Sequence, residues 1–400
     1  MTARTPPLPL AEAQARLLAL APTIPVEWRD VMQAAGHYLA EPLHARRNQP
    51  AAPLSAMDGF AMRAADLPGP WRLIGESAAG HPFVGTLGTG EAVRISTGAV
   101  VPPDADMVLL KEDSAIDGST LHLDGTAPHP TERHIRPRGM DFGEGAAILP
   151  RGWRIDAAAI GLALAAGHER LPVHRPIRLT VIDGGDELAA PGTVPGLHQI
   201  PASNGPMLAA LATRLPVVAT RIGPVPDTLD ALITAFEAAR DADVIVTSGG
   251  ASVGDHDLIR PALAAMGVDI AFWRVGIKPG KPLLVARRGD QVILGLPGNP
   301  ASAWVTGFLF MLPLLRAALG ATEPLPRAIV VPLATPMGKG GSRMEFLRAH
   351  WDGATVALDR LQDSGALSPL ARSNALIVRA AGAAPAPAGS AVPVYLTGID

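Results

Sequence analysis

The sequence predicts a multidomain α/β protein whose central part is a doubly wound sheet. Three observations predict it. Between residues 177 and 319, short apolar runs alternate with stretches of helical spacing, the pattern of a parallel sheet with helices on both faces. One run, Val244-Ile245-Val246, passes directly into the loop Ser248-Gly249-Gly250-Ala251-Ser252-Val253-Gly254 and then into a helical segment at 258–266. On either side, at 61–124 and from residue 324 onward, the apolar runs shorten and are separated by Gly, Pro and Asp, which reads as two small β domains.

Length and composition fit this reading. A chain of 400 residues holds several domains, and with 48% hydrophobic residues and a net charge of -3 it can build real cores. The charge balance gives no support to a nucleic-acid partner. The absence of cysteine excludes disulfides, zinc thiolate sites and thiol nucleophiles. The opening MTARTPPLPL lacks the basic-then-apolar order of a signal peptide. Residues 157–167 are too short a run to cross a membrane, and 301–319 is interrupted by Pro313 and Arg316. A soluble cytoplasmic protein with no membrane partner is expected.

Taken in order, residues 10–21 have helical spacing, with Leu10, Ala13, Leu17, Leu20 and Ala21 on one side, and 26–39 reads as a second helical region with Trp28, Val31, Met32 and Leu39 apolar. Prolines block a helix until Ser55, and Met57-Asp58-Gly59 is a tight turn that exposes Asp58. The first β domain contains Ser96-Thr97-Gly98-Ala99. The loop 134–145 sets Arg136 and Arg138 beside Asp141; a solvated surface is the plain alternative to a site there. A helix at 155–166 ends on Gly167.

The α/β pattern follows. A strand at 177–182 enters Asp183-Gly184-Gly185-Asp186-Glu187, and Ser203-Asn204 caps a helix to Thr213. A strand at 217–222 leads to Asp227 and a helix at 228–240; strands at 272–275, 283–286 and 292–296 precede a long apolar helix at 301–319. In such sheets ligands bind beyond the carboxyl ends of the strands. That rule gathers four loops: 183–187, 248–257, Lys278-Pro279-Gly280-Lys281-Pro282 and Leu296-Pro297-Gly298-Asn299-Pro300. Glycine N–H groups at a helix start hold phosphate, while Asp255 and Asp257 repel it unless a cation such as Mg²⁺ lies between. Ordinary surface turns remain the other reading of each loop. In the last block, Arg343 and Arg348 either reach anionic ligands or are solvated.

The motifs SAMDGFA, STGA, SGGASVGDHD, KPGKP, GLPGNP and SRMEFLR stand in the order and spacing of molybdopterin molybdenumtransferase, the family that includes the gephyrin E domain, and the chain resembles that family over nearly its whole length. The resemblance implies an elongated homodimer. Each subunit has a helical connecting domain (1–44 and 138–174), an inserted β domain (45–137), a doubly wound molybdopterin-binding α/β domain (175–322) and a C-terminal β barrel (323–400). The implied reaction inserts molybdate into adenylylated molybdopterin, releases AMP and depends on Mg²⁺. By motif match, Asp58, Thr97, Asp141, Glu187, Asp227 and Lys278 fall on catalytic positions; Lys281 joins them as a second charge on the same loop, and the two lysines are expected to attract molybdate. Pro297 and Pro300 also match functional positions, and Ser248, Gly249, Gly250, Ser252, Gly254, Gly298 and Asn299 of the two loops are the expected ligand-binding residues beside them; Arg343 or Arg348, and Ser368, are looser matches. Glu187 and Asp257 are the expected Mg²⁺ ligands. Implied partners are a molybdopterin adenylyltransferase and molybdoenzyme apoproteins.

The chain also departs from the family pattern. It has Asp183-Gly184 in place of Ser-Thr, Ala202 in place of Asp before Ser203-Asn204, and Met140 where an acid often precedes Asp141. Gly184 and Ala202 make a paralogue with reduced activity, or a pterin carrier or sensor, an alternative to the insertion reaction; the resemblance of the α/β domain to adenylyltransferases adds adenylyl transfer to molybdopterin, and the gephyrin resemblance adds a scaffold.

Overall fold

The structure, a computed structural model, describes residues 6–190, 192–250 and 258–398. At its centre is a six-stranded sheet in the order Val217–Val225, Ile177–Gly184, Val244–Ser248, Gln291–Leu296, Leu284–Arg288, Asp269–Trp273. The first four strands are parallel. Leu284–Arg288 runs against both neighbours, so the sheet is mixed rather than wholly parallel. The cause is local. Only Gly289 and Asp290 separate Arg288 from Gln291, Gly289 has φ +60°, and a two-residue link folds a strand back on itself.

The sheet is buried on both faces, which explains its nearly unbroken apolar strands. Leu179, Val181, Val244 and Val246 face one core, shared with Leu208 and Leu211 of helix Asn204–Ala212. Ile182 and Ile245 face the other, with Phe236 of helix Leu229–Ala238 and Leu263 of helix Ile259–Ala265.

The apolar segment from 300 to 318 is helical throughout but not uniform: Pro300–Thr306 is α-helical, Gly307–Met311 is a π turn and Leu312–Ala318 is α-helical again. Pro313 has no N–H to donate and its ring crowds the carbonyl four residues back, which widens the preceding turn. Gln14 Nε2 donates to the freed Leu309 carbonyl at 2.9 Å. This helix is the one among the described residues long and apolar enough to cross a membrane, yet it is 83% buried, so its apolarity serves the core.

The N-terminal helix spans Leu10–Leu18 and buries Ala13 and Leu17. The helix expected at 26–39 does not form. Val26–Asp30 is a strand, antiparallel to Arg170–His174, followed by the single 3-10 turn Val31–Ala34. Its residues alternate in exposure, and the Asp30 carboxylate accepts from the Met32 N–H to start the turn. Trp28 and Met32, which gave the segment its helical look, are 48% and 65% exposed. Helix Ala157–Ala165 forms with Asp156 as its cap, and Gly167 follows at φ +91°.

Two further sheets flank the centre. One has the order Met107–Leu110, Gly59–Met62, Glu91–Ile95, Trp71–Ser77, Thr120–Leu123, Ser114–Asp117, over a core that includes Phe60, Trp71 and Leu121. The other orders Ile277–Lys278, Met344–Trp351, Ala375–Arg379, Ala391–Leu396 and Ile329–Pro332, with Val356–Leu358 on the side. Its first strand comes from the central domain, so backbone pairing fastens the KPGKP loop to the C-terminal sheet.

Candidate active site

The carboxyl ends of the central strands open on a cavity of about 700 Å³. Glu187, Asp227, Gly249, Gly250 and the run Pro297-Gly298-Asn299-Pro300 all line it, as do Gly365 and Leu367 from the C-terminal region. The expected rim therefore exists, and a loop from another part of the chain closes it.

Local chemistry fixes each wall. Gly249 and Gly250 have φ +95° and +65°, and a Cβ on Gly249 would lie 2.7 Å from the Gly184 carbonyl oxygen. Only glycine lets these two strand ends approach so closely. Pro300 opens a helix at the position where a missing N–H costs nothing. Asn299 Nδ2 donates to Ser364 Oγ at 3.0 Å and Ala301 N–H to the Ser364 carbonyl at 2.9 Å, which anchors the 364–367 loop over the rim. Ser248 sits behind the wall: it accepts from Asn204 Nδ2 at 2.8 Å, and the same amide donates to the Gly298 carbonyl at 2.6 Å. Asp186 and Asp227 tie their loops together, Asp227 N–H donating to Asp186 Oδ1 at 3.1 Å.

Sequence reasoning missed Asp183 and Asn204 as site residues. Ser203 and Asn204 were expected to cap a helix, but the Ser203 side chain makes no capping bond. The Asp183 carboxyl takes that place, accepting from the Gly205 N–H. Asp183 is only 2% exposed. Burial pushes its carboxyl above the usual range, and the Gly205 N–H and Arg221 oppose this in part. The signal was present in the sequence as the unusual Asp at the end of the first strand.

The lysines are placed differently from the acids. Lys278 Nζ lies 3.3 Å from Glu345 Oε1 of the C-terminal sheet, with its side chain 56% exposed. Lys281 is exposed, and the KPGKP loop reaches the cavity through Pro282. Neither lysine lines the cavity.

Asp58 and Thr97 meet each other. Thr97 N–H and its hydroxyl both donate to Asp58 Oδ1, at 2.7 and 2.8 Å. The amide first and the hydroxyl second hold the Asp58 carboxyl below its usual range. Asp141 is exposed, and its N–H donates to the Gln49 carbonyl at 2.9 Å. None of the three lines the cavity of its own chain.

Arg343 Nη1 donates to the Ile277 carbonyl at 2.9 Å. Arg348 is not solvated: it is 2% exposed, donates through Nη2 to the Leu361 carbonyl at 3.2 Å, and leaves Nε and Nη1 without partners among the described residues. Burial lowers its pKa, against Asp359 and Asp363. Ser368 is exposed and begins helix Ser368–Arg372, next to the lining residue Leu367. Ser252, Gly254 and Asp257 lie outside the described residues. Among the described residues no cluster of three or more His, Asp or Glu is arranged to hold a metal ion.

Fold and cavity define a multidomain α/β protein with an open cavity on the rim of its central sheet. Residues 8–167 match the family described as MoeA N-terminal region (domain I and II), 180–317 a probable molybdopterin binding domain, and 330–397 the MoeA C-terminal region (domain IV). A molybdopterin molybdenumtransferase from Staphylococcus aureus (strain MRSA252) is 31% identical over 411 residues, covering 98% of this chain and 96% of that protein. One from Haemophilus influenzae is 32% identical, covering 86% of each. Among solved structures, a molybdopterin biosynthesis MoeA protein from Pyrococcus horikoshii superposes with TM-score 0.83 at 26% identity, over 98% of this chain and 99% of that one. The chain belongs to the molybdopterin molybdenumtransferase family and is a transferase of molybdenum cofactor biosynthesis.

Proposed function

We propose that this protein inserts molybdate into adenylylated molybdopterin and releases AMP, with Mg²⁺ bound in the rim cavity. The observation that carries the reading is the convergence of Glu187, Asp227, the Gly249-Gly250 turn and Pro297-Gly298-Asn299-Pro300 on one cavity at the carboxyl ends of the strands. The glycine turn lets a phosphate approach the backbone. Asn299 and the prolines form a stiff wall directly beside that turn, and the loop bearing Gly365 and Leu367 restricts water.

Glu187 and Asp227 supply hard oxygen donors to the same space, which suits Mg²⁺; such ions are held by one or two carboxylates together with phosphate oxygens. Asp257 is the further acid assigned to it. The ion, when bound, offsets phosphate charge as AMP departs. Lys281, exposed beside the rim, attracts molybdate, while Glu345 holds Lys278 in place. The protein acts in the cytoplasm, receives its substrate from a molybdopterin adenylyltransferase and serves molybdoenzyme apoproteins.

The Asp58–Thr97 pair lies away from its own chain's cavity, so the reading includes a homodimer in which this pair closes the partner's site. A sedimentation measurement at micromolar concentration checks it; a fully active monomer overturns it. The function itself is tested by incubating pure protein with adenylylated molybdopterin, Mg²⁺ and molybdate and measuring AMP. Tight ligand binding with no AMP release would favour instead a pterin carrier, a second reading that the Asp183-Gly184 departure keeps open.

A further inference from the structure

Below the main cavity is a small recess of about 30 Å³, lined by Asp183, Asn204 and Ser248 among others. It shares Gly184, Glu187, Gly249, Gly298 and Pro300 with the main cavity, so the two are continuous. Among the described residues, two buried atoms at this recess lack a partner, Asp183 Oδ1 and Asn204 Oδ1. Both are acceptors. The orientation of the Asn204 amide is settled by its Nδ2, which donates to Ser248 Oγ at 2.8 Å and to the Gly298 carbonyl at 2.6 Å. Its oxygen is therefore the atom left over. Asp183 is likewise half used: its carboxyl accepts from the Gly205 N–H at the start of helix Asn204–Ala212, and Oδ1 has no partner among the described residues. A Cβ on Gly205 would fall 1.9 Å from Asp183 Oδ2, so the glycine is what lets the acid stand there.

A recess of this size takes one heavy atom, and its chemistry asks that atom to be a donor. We propose that Asp183 is a specificity-determining residue that, with Asn204, receives one exocyclic amino group of a heteroaromatic ring. The inference rests on the ligand reading above, in which the substrate carries two such groups, one on the pterin and one on the adenine. Buried acceptors discriminate strongly, because a ligand presenting a carbonyl instead of an amino group sets oxygen against oxygen. The family's serine at this position both donates and accepts, so the carboxylate narrows the choice to donors.

The test uses the full chain and two ligand pairs that differ by an amino-to-oxo exchange: AMP against inosine monophosphate, and pterin against lumazine. Affinities are measured by titration calorimetry. In one pair the amino ligand binds at least about ten-fold tighter; that pair shows which ring enters the recess. In Asp183→Ser the preference falls to about two-fold or less. Because Asp183 also caps a helix, loss of stability in this variant is uninformative, and Asp183→Asn is measured beside it. Its amide retains the shape but offers a donor, so the preference is lost or reversed. Equal binding within both pairs by the wild-type protein overturns the inference and leaves the recess to water. Binding of none of the four ligands overturns the ligand reading itself, and the inference with it.

Discussion

Gly249→Ala tests whether the rim depends on the close approach of two strand ends. Gly249 has φ +95°, outside the range in which a residue with a side chain is comfortable. Holding alanine in a left-handed conformation costs about 1–2 kcal/mol. The new Cβ would also lie 2.7 Å from the Gly184 carbonyl oxygen, a contact with backbone that no rotamer relieves. The strands carrying Asp183 and Ser248, which pair directly, must part by several tenths of an ångström. That adds about 1 kcal/mol or more of packing loss and moves the Glu187 loop away from Gly250. Gly250→Ala is the internal control. Its φ of +65° lies in the ordinary left-handed region, and among the described residues its Cβ would meet only the Ile259 side chain, at 3.0 Å. It loses about 1 kcal/mol. Melting temperature then falls by about 5–10 °C for Gly249→Ala and about 2–4 °C for Gly250→Ala. AMP release should fall in the same order. A Gly249→Ala protein that melts and turns over like wild type, or a more damaging Gly250→Ala, refutes the reasoning.

Two other residues give further predictions. Burial pushes the Asp243 carboxyl up, but bonds from Arg175 and Arg178 outweigh it and hold the pKa at about 2 against an ordinary 3.8. Its side chain is 8% exposed, so the difference is worth about 2 kcal/mol of stability. That contribution is present above about pH 4 and lost as pH falls through 2. Asp243→Asn should lower the denaturation midpoint at pH 7, and the two proteins should converge near pH 2; a gap constant with pH refutes the linkage. Thr97→Val removes the hydroxyl that donates to Asp58 and retains the amide. The Asp58 pKa should rise but stay below its ordinary value, as followed by NMR titration; no movement means the hydroxyl bond is absent in solution.

What the sequence made legible was whatever local pattern determines. The apolar runs Ile177–Ile182 and Val244–Val246 are buried on both faces, so their strand identity did not depend on context. The rim loops followed from the parallel order of the first four strands. The segment at 26–39 failed because Trp28 and Met32 are apolar yet exposed, and an apolar residue imitates a helix face wherever it points. The direction of Leu284–Arg288 was legible in Gly289-Asp290 but was overridden by the expectation of a parallel sheet. The ion pair that occupies Lys278 was not legible, because its partner, Glu345, lies 67 residues away. Asp183 was noted as a departure; its burial and its open oxygen depend on Gly205, which only the folded chain brings near.

Arg348 shows how far a structural burden can point to a role. A guanidinium that is 2% exposed, with Nε and Nη1 unpartnered, is expensive to bury. Its one described side-chain bond, to the Leu361 carbonyl, holds the segment that runs on to Gly365 and Leu367 at the cavity. If stability were all that mattered, an apolar side chain of similar shape would serve as well or better, as replacements of buried charges often do. Arg348→Met should therefore melt within about 2 °C of wild type or above it, since no direct ion pair among the described residues is broken and only the longer-range attraction of Asp359 and Asp363 is lost. The proposed AMP release should nevertheless fall by about ten-fold or more, because the segment leading to the wall over the rim loses the one tether that the Arg348 side chain supplies, and a small misplacement is what positioning residues prevent. Gln362 still accepts from the Arg348 backbone N–H at 3.0 Å in either protein, so the strand register is unaffected. A variant that melts far lower while retaining full turnover shows that the arginine serves the fold, and that its buried charge has no part in shaping the site.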